Sequence, residues 1–175
     1  ITEKKKLTLQ TPESFRNRFA VDVRTGQEAV AIDPARKIVR VRDRTKETEY
    51  EETYDKLILS PGAEPVRPPL PGIDDARIFT LRTIPDTYGM DAYIQNEDPK
   101  MTVVVGGGFI GLEMAENFAR RGMSVAVVEL ANHVIGPLDY DMACEVHRYL
   151  RYKGISLLLG RAVKAFHPEK TGLEV

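Results

Sequence analysis

The chain has 175 residues, 42% of them apolar and 29% charged, with a formal net charge of −1. That is enough apolar material for one medium domain or two small ones, without the basic excess that nucleic-acid-binding proteins carry. The single cysteine, Cys144, excludes an intrachain disulfide and a multi-cysteine zinc site and fits a reducing cytoplasm, while no apolar run approaches the length of a membrane span.

The chain opens Ile1-Thr2-Glu3-Lys4-Lys5-Lys6, without an initiator Met or an apolar signal core, and stops at Leu173-Glu174-Val175 in a strand-like stretch. Both ends are expected to be cut from a longer protein. Thr11-Pro12-Glu13-Ser14-Phe15 predicts an N-cap and a short helix to about Arg18. Residues 28–32, 37–42 and 48–53 predict three strands of a β-meander, with turns at Asp33-Pro34-Ala35-Arg36 and residues 43–46. Charged residues alternate with Ile38, Val39 and Val41, which places one face in water.

Lys56-Leu57-Ile58-Leu59-Ser60 is a continuous apolar run and predicts a strand buried on both faces. Five prolines between Pro61 and Pro71 then make residues 61–72 a stiff, extended connector. Residues 84–95 predict a helix, closed by the polar run 96–99, where the domain boundary is expected: residues 1–99 and 100–175.

From Met101 the expected order is strand, helix, strand, helix, strand. The strands fall at residues 102–105, 124–129 and 155–159. The first helix carries Leu112, Ala115, Phe118 and Ala119 at helical spacing; the second carries a stripe of Met142, Val146, Tyr149 and Leu150. This alternation predicts a parallel sheet with right-handed crossovers, an α/β fold of Rossmann type built from βαβ units.

The chemistry concentrates in Val103-Val104-Val105-Gly106-Gly107-Gly108-Phe109-Ile110-Gly111-Leu112-Glu113. A lone glycine triplet means little, but here it follows a buried strand and opens a helix. Gly106 permits the tight turn, Gly108 lets a pyrophosphate approach the backbone, and Gly111 lets the helix pack on the strand. The helix start then presents bare N–H groups to phosphate oxygens. Glu129 ends the second strand at the spacing where a carboxylate accepts both ribose hydroxyls of an adenosine. It would repel an added 2′-phosphate by about 1 kcal/mol in water and about 4 kcal/mol at an effective dielectric of about 20. NADH (or FAD) is therefore expected over NADPH. A hundred residues of meander and connector precede this motif, whereas a flavoprotein's own FAD fingerprint usually opens the chain; the order points to an internal nicotinamide site.

These segments resemble the pyridine nucleotide-disulfide oxidoreductases, most closely the branch of coenzyme A-disulfide reductase and the related NADH oxidases. The resemblance rests on Thr53-Tyr54-Asp55-Lys56-Leu57-Ile58-Leu59-Ser60-Pro61-Gly62-Ala63, Phe79-Thr80-Leu81-Arg82, residues 106–113 and Asp139-Tyr140-Asp141-Met142. It implies the middle part of an FAD-binding domain up to residue 99 and the first half of an inserted NADH-binding domain from residue 100. It implies that Ser60 and Gly62 lie against FAD, with Ala29 and Arg82 near that cofactor, and that Phe109 and Ile110 lie near the nicotinamide. Gly107 completes the cofactor-binding set with Gly106, Gly108, Gly111 and Glu129.

The resemblance further implies a homodimeric cytoplasmic flavoprotein passing electrons from NADH through FAD to a small-molecule disulfide or thiol, such as coenzyme A disulfide. NADH oxidase, peroxidase and persulfide reductase share every motif visible here, and a non-catalytic dinucleotide-binding module is a further reading. The family's redox cysteine would precede Ile1, so residues 1–175 alone are expected to be inactive. Cys144 and the three histidines form no ligand-spaced set; His133, His147 and His167 read as surface or boundary residues.

Overall fold

Local hydrogen bonding sets the first elements in the computed structural model, which describes residues 9–175. The expectations for residues 1–6 lie outside that range. Thr11 caps helix α1 (Pro12–Phe19) by accepting from the Ser14 amide at 3.1 Å, while the Ser14 hydroxyl accepts from the Thr11 amide at 2.9 Å. This reciprocal box satisfies two of the amides that a helix start leaves unpaired. The chain divides into two compact units between Ala63 and Glu64.

In the first unit, β1 (Gln27–Asp33), β2 (Ile38–Asp43) and β3 (Thr48–Thr53) form an antiparallel sheet in that order. The expected meander is present, with a bulge between Ala29 and Ala31. Its two turns share one design. Asp33 accepts from the amides of Ala35 and Arg36 at 3.1 and 3.0 Å, and Asp43 from those of Thr45 and Lys46 at 2.9 and 3.1 Å. Each turn then leaves through a left-handed residue, Lys37 (φ 53°) or Glu47 (φ 55°). The aspartate supplies the local acceptor that makes such a turn favourable.

Residues 56–60 do not form the predicted buried strand. Ile58 and Leu59 are 86% and 67% exposed, and the segment is irregular. A strand covered on both faces needs neighbours on each edge and a layer on each side. Among the described residues, none pairs with it in a sheet.

In the second unit the proline-rich stretch ends by docking on the chain near its other end. The Phe166 amide donates to the Pro71 carbonyl at 2.8 Å. Gly72 has φ +79°, and a Cβ there would stand 2.0 Å from the Phe166 carbonyl oxygen, so only glycine fits. Arg77 grips Asp75 with two hydrogen bonds of 2.8 Å and donates to the backbone carbonyls of Glu169 and Gly172. It thereby ties the connector to the small hairpin of β7 (His167–Pro168) and β8 (Leu173–Glu174), numbered after β4 to β6 below. Helix α2 (Ile84–Glu97) has a second capping box, Thr83 with Asp86.

The rest of this unit is the expected alternation: β4 (Met101–Val105), α3 (Phe109–Arg120), β5 (Ser124–Glu129), α4 (Tyr140–Tyr152) and β6 (Ser156–Leu159). The sheet is parallel, in the order β4-β5-β6, with Val103 opposite Ala126 and Ala126 opposite Ser156. Its core joins Leu112 and Ala115 of α3, Val125 and Val127 of β5, Val134 and Ile135 of the following loop, Leu150 of α4 and Ile155.

The face of α4 differs from expectation. Met142 and Tyr149 are exposed, and the buried residues are Ala143, His147 and Leu150, with Val146 packed against the core. The helix is rotated so that a histidine replaces apolar side chains on the inner stripe. A hydrogen bond from the Val134 amide to this histidine makes the burial tolerable.

Candidate functional site

The glycine-rich turn lies in the second unit, between β4 and α3. Gly106 extends the parallel ladder by donating to the Val128 carbonyl at 2.8 Å, then turns with φ +107°, a region that L side chains rarely enter. A Cβ at Gly111 would stand 2.2 Å from the Gly106 carbonyl oxygen. The first turn of α3 therefore rests directly on the loop backbone, as the sequence spacing required.

The other two glycines do opposite things. Gly108 is the N-cap of α3 with no side-chain cap, and a Cβ there would meet nothing within 4 Å. It opens the helix start to the outside. Gly107 is enclosed: a Cβ there would lie 2.9 Å from Val134 Cγ1 and 3.2 Å from Glu129 Cγ. The turn is thus open at Gly108 and closed behind at Gly107.

Glu129, at the end of β5, faces this turn. Its Oε2 accepts from the Gly107 amide at 2.6 Å and its Oε1 from the Ala131 amide at 2.7 Å. Each carboxylate oxygen retains a further lone pair for another donor. Gly107 is held on its other side as well, because the Ile135 amide donates to the Gly107 carbonyl at 2.8 Å. Ile135 does so from φ 52°, an unusual conformation for a β-branched residue. It is 9% exposed, and its own carbonyl accepts from the Leu138 amide at 2.8 Å. The surrounding contacts hold this local strain in place.

One further residue underpins the loop. His147, 4% exposed on α4, accepts the Val134 amide at its Nε2 over 3.1 Å. This corrects its reading as a surface or boundary residue, and it explains the rotated face of α4. Burial first, then the charges of Arg151 and His133, push its pKa below the usual imidazole value. His133 is partly buried and His167 exposed, as expected.

The structure thus brings Gly106, Gly107, Gly108, Gly111 and Glu129 together. Phe109 and Ile110 occupy the first turn of α3, each 61% exposed. The remaining sequence candidates stand on other elements. Ala29 is exposed on β1 beside the bulge, opposite Val41. Ser60 and Gly62 lie on the irregular segment after β3, Gly62 with φ 80°. Arg82 belongs to the second unit, where its amide donates to Asp86 at 2.9 Å within the α2 cap. Sequence reasoning missed Val134, Ile135 and His147. The one available signal was the pairing of an α4 histidine with a loop ending in Gly136-Pro137.

A parallel βαβαβ unit with a bare-amide turn and a strand-end carboxylate defines a dinucleotide-binding class of α/β protein. The sequence profile of the pyridine nucleotide-disulphide oxidoreductases matches residues 3–175, and the chain belongs to that family. It is 37% identical to the coenzyme A disulfide reductase of Staphylococcus haemolyticus over 142 residues, covering 81% of this chain and 32% of the relative. It is 36% identical to an NADH oxidase of Methanocaldococcus jannaschii over 159 residues, covering 90% and 35%. Among solved structures, the reduced CoADR-RHD of Bacillus anthracis superposes with a TM-score of 0.86 at 44% identity, covering 94% of this chain and 30% of that one. The chain therefore spans about a third of the length of the curated relatives it matches.

Proposed function

We propose that this chain is part of an NADH-dependent flavoprotein that delivers electrons to a small-molecule disulfide, coenzyme A disulfide being the first candidate. The observation that carries the reading is the turn at residues 106–111, open at Gly108 and backed at Gly107 by Glu129. The amides at the start of α3 would take the diphosphate, and Glu129 would accept the hydroxyls of the adenosine ribose. Phe109 and Ile110, exposed on the first turn of α3, would border the nicotinamide.

Ser60 and Gly62 would lie against FAD, with Ala29 and Arg82 near that cofactor, and residues 1–99 and 100–175 would belong to its domain and to the NADH domain. The exposed apolar run that leads into Ser60 supports such a covering partner. FAD, when bound, accepts hydride from NADH and passes electrons on singly or in pairs. A cytoplasmic homodimer is part of the same reading, supported by the single cysteine and the family. Among the described residues, no helix is long and apolar enough to cross a membrane.

The test is an assay of the full-length protein with NADH and NADPH against coenzyme A disulfide, oxygen and peroxide, with flavin absorbance followed throughout. Disulfide-dependent oxidation of NADH and reversible flavin bleaching are expected; an unbleached flavin would refute the proposal. A second reading, with oxygen as acceptor, is favoured by the similarity to the archaeal NADH oxidase and predicts oxygen consumption without a disulfide. Exchanging Glu129 for Ala is expected to weaken NADH binding by about 1.5–3 kcal/mol, the range for hydrogen bonds to charged groups, and to narrow the gap to NADPH. An unchanged preference would remove the ribose assignment.

A further inference from the structure

We infer that His147 is a positioning residue of the nucleotide site: its imidazole, reaching from α4, fixes the loop that braces Gly107. The inference rests on the proposed reading of residues 106–111 and Glu129 as a dinucleotide site, and adds to it a residue that touches no nucleotide.

The chain of contacts is short. His147 Nε2 accepts the Val134 amide at 3.1 Å. Val134 is fully buried, and its Cγ1 closes the space behind the Gly107 Cα. The next residue, Ile135, sends its amide to the Gly107 carbonyl at 2.8 Å. Gly107 is thus fixed by Glu129 at its amide and by Ile135 at its carbonyl, and the second support depends on where the loop is anchored. Ile135 holds a left-handed conformation that a free loop would relax.

This anchor works in one protonation state only. An imidazole that accepts at Nε2 carries its proton on Nδ1 and is neutral. Protonated, it would present Nε2–H to the Val134 amide, two donors face to face in a buried place. Arg151 on α4 and His133 on the loop are the charged or titratable groups acting on it, and both oppose a positive charge there. Neutral His147 is therefore the state that holds the loop. As pH falls below the ordinary imidazole value of about 6.5 and through the lower value in the folded protein, the bond to Val134 is lost. The grip on Gly107 loosens with it, and nucleotide affinity falls.

The experiment uses the full-length flavin-bound protein and ADP-ribose, which has the adenosine ribose and diphosphate but no hydride to give. Its dissociation constant is measured by calorimetry from pH about 7.5 downward past the ordinary imidazole value of about 6.5, to the lowest pH at which circular dichroism shows the fold intact, because His147 titrates below that value. The wild type is expected to weaken about five-fold across that range, the worth of one net hydrogen bond. His147→Gln places a carbonyl that accepts from Val134 and does not titrate; its affinity should match the wild type at the upper pH and stay flat to the lower. His147→Leu, checked for folding by circular dichroism, should bind about five-fold more weakly at both. A glutamine variant that follows the wild-type slope, or a folded leucine variant that binds like the wild type, overturns the inference. The glutamine comparison decides it even where the leucine protein does not fold. Wild-type protein that binds no ADP-ribose at the upper pH overturns the dinucleotide reading itself.

Discussion

The two units of this chain are held together by different forces. Among the described residues of the first unit, only Asp43 is buried, and the sheet relies on its ladder, two aspartate turns and exposed ion pairs such as Arg42 with Glu49 at 2.8 Å. The second unit encloses a cluster running from Leu112 through Val127 to Ile155. A sheet that buries little apolar area within its own unit must gain its stability from whatever covers it, because ladder bonds and surface charges contribute little net free energy. The parallel sheet carries its own core, and that is where the candidate site has been built. Sites need rigid support, and among the described residues it is the second unit that supplies it from within.

The sharpest way to break this contrast is to truncate one isoleucine in each unit. Ile155 is 2% exposed, and Ile155→Ala is expected to cost about 2–5 kcal/mol in urea unfolding, the lost burial plus the cavity left behind. Ile32 on β1 is 40% exposed, and Ile32→Ala should cost less than about 1 kcal/mol. Equal losses would show that the meander has a core of its own.

Next in size is Gly72→Ala. The change puts a Cβ into the Phe166 carbonyl at a residue with positive φ, so both the backbone and the contact oppose it. A loss of more than about 1 kcal/mol is expected. Protease cutting within residues 61–72 should rise with it. An unaffected midpoint would mean that the connector is not fixed to the chain near Phe166.

How much of this was legible in the sequence follows the same division. The βαβαβ unit and its turn were readable residue by residue, since glycine spacing, β-branched runs and helix periods all serve one local geometry. The meander turns were readable because aspartate makes its turn from its own side chain. Two readings failed for a common reason. Apolar character predicts a buried strand at residues 56–60 and an inward Met142 and Tyr149 on α4, but apolar character is not burial. Burial depends on the available neighbour: residues 56–60 pair with no strand among the described residues, and His147 found a buried amide to accept. A hydrogen bond between a helix and a loop thirteen residues earlier leaves no periodic trace. The docking of the connector near Phe166 and the Arg77 bonds, which place residues after 63 in the second compact unit, leave no trace in sequence spacing.

A smaller effect is read by pH within the second unit. The Arg77 guanidinium, then the Arg77 amide, hold the Asp75 carboxyl down at about 2, from an ordinary 3.8. A carboxyl lowered on folding stabilises the native state at pH above its unfolded value, and that contribution disappears as pH falls through the folded value. Acid should therefore loosen the tie between the connector and the β7–β8 hairpin between pH 3.8 and about 2. Asp75→Asn, which keeps the shape and removes the charge, should abolish that part of the acid transition while leaving the neutral-pH fold intact by circular dichroism. A variant with the wild-type acid profile would show that Arg77 holds the hairpin without Asp75.

The smallest expected effect is the most direct probe of the first unit. Arg42 and Glu49 face each other across β2 and β3 and share two hydrogen bonds, of 3.0 and 2.8 Å. The guanidinium of Arg42 is held more firmly protonated by Glu49, yet both side chains are about half exposed or nearly so. Water and salt screen such a pair, and fixing two long side chains costs entropy, so the attraction and its costs nearly cancel. A double-mutant cycle with Arg42→Ala and Glu49→Ala should return a coupling close to the error of the measurement, and smaller still in high salt. A large, salt-resistant coupling would mean that this face of the sheet is covered in the full-length protein, and would identify it as the face through which the meander gains its stability.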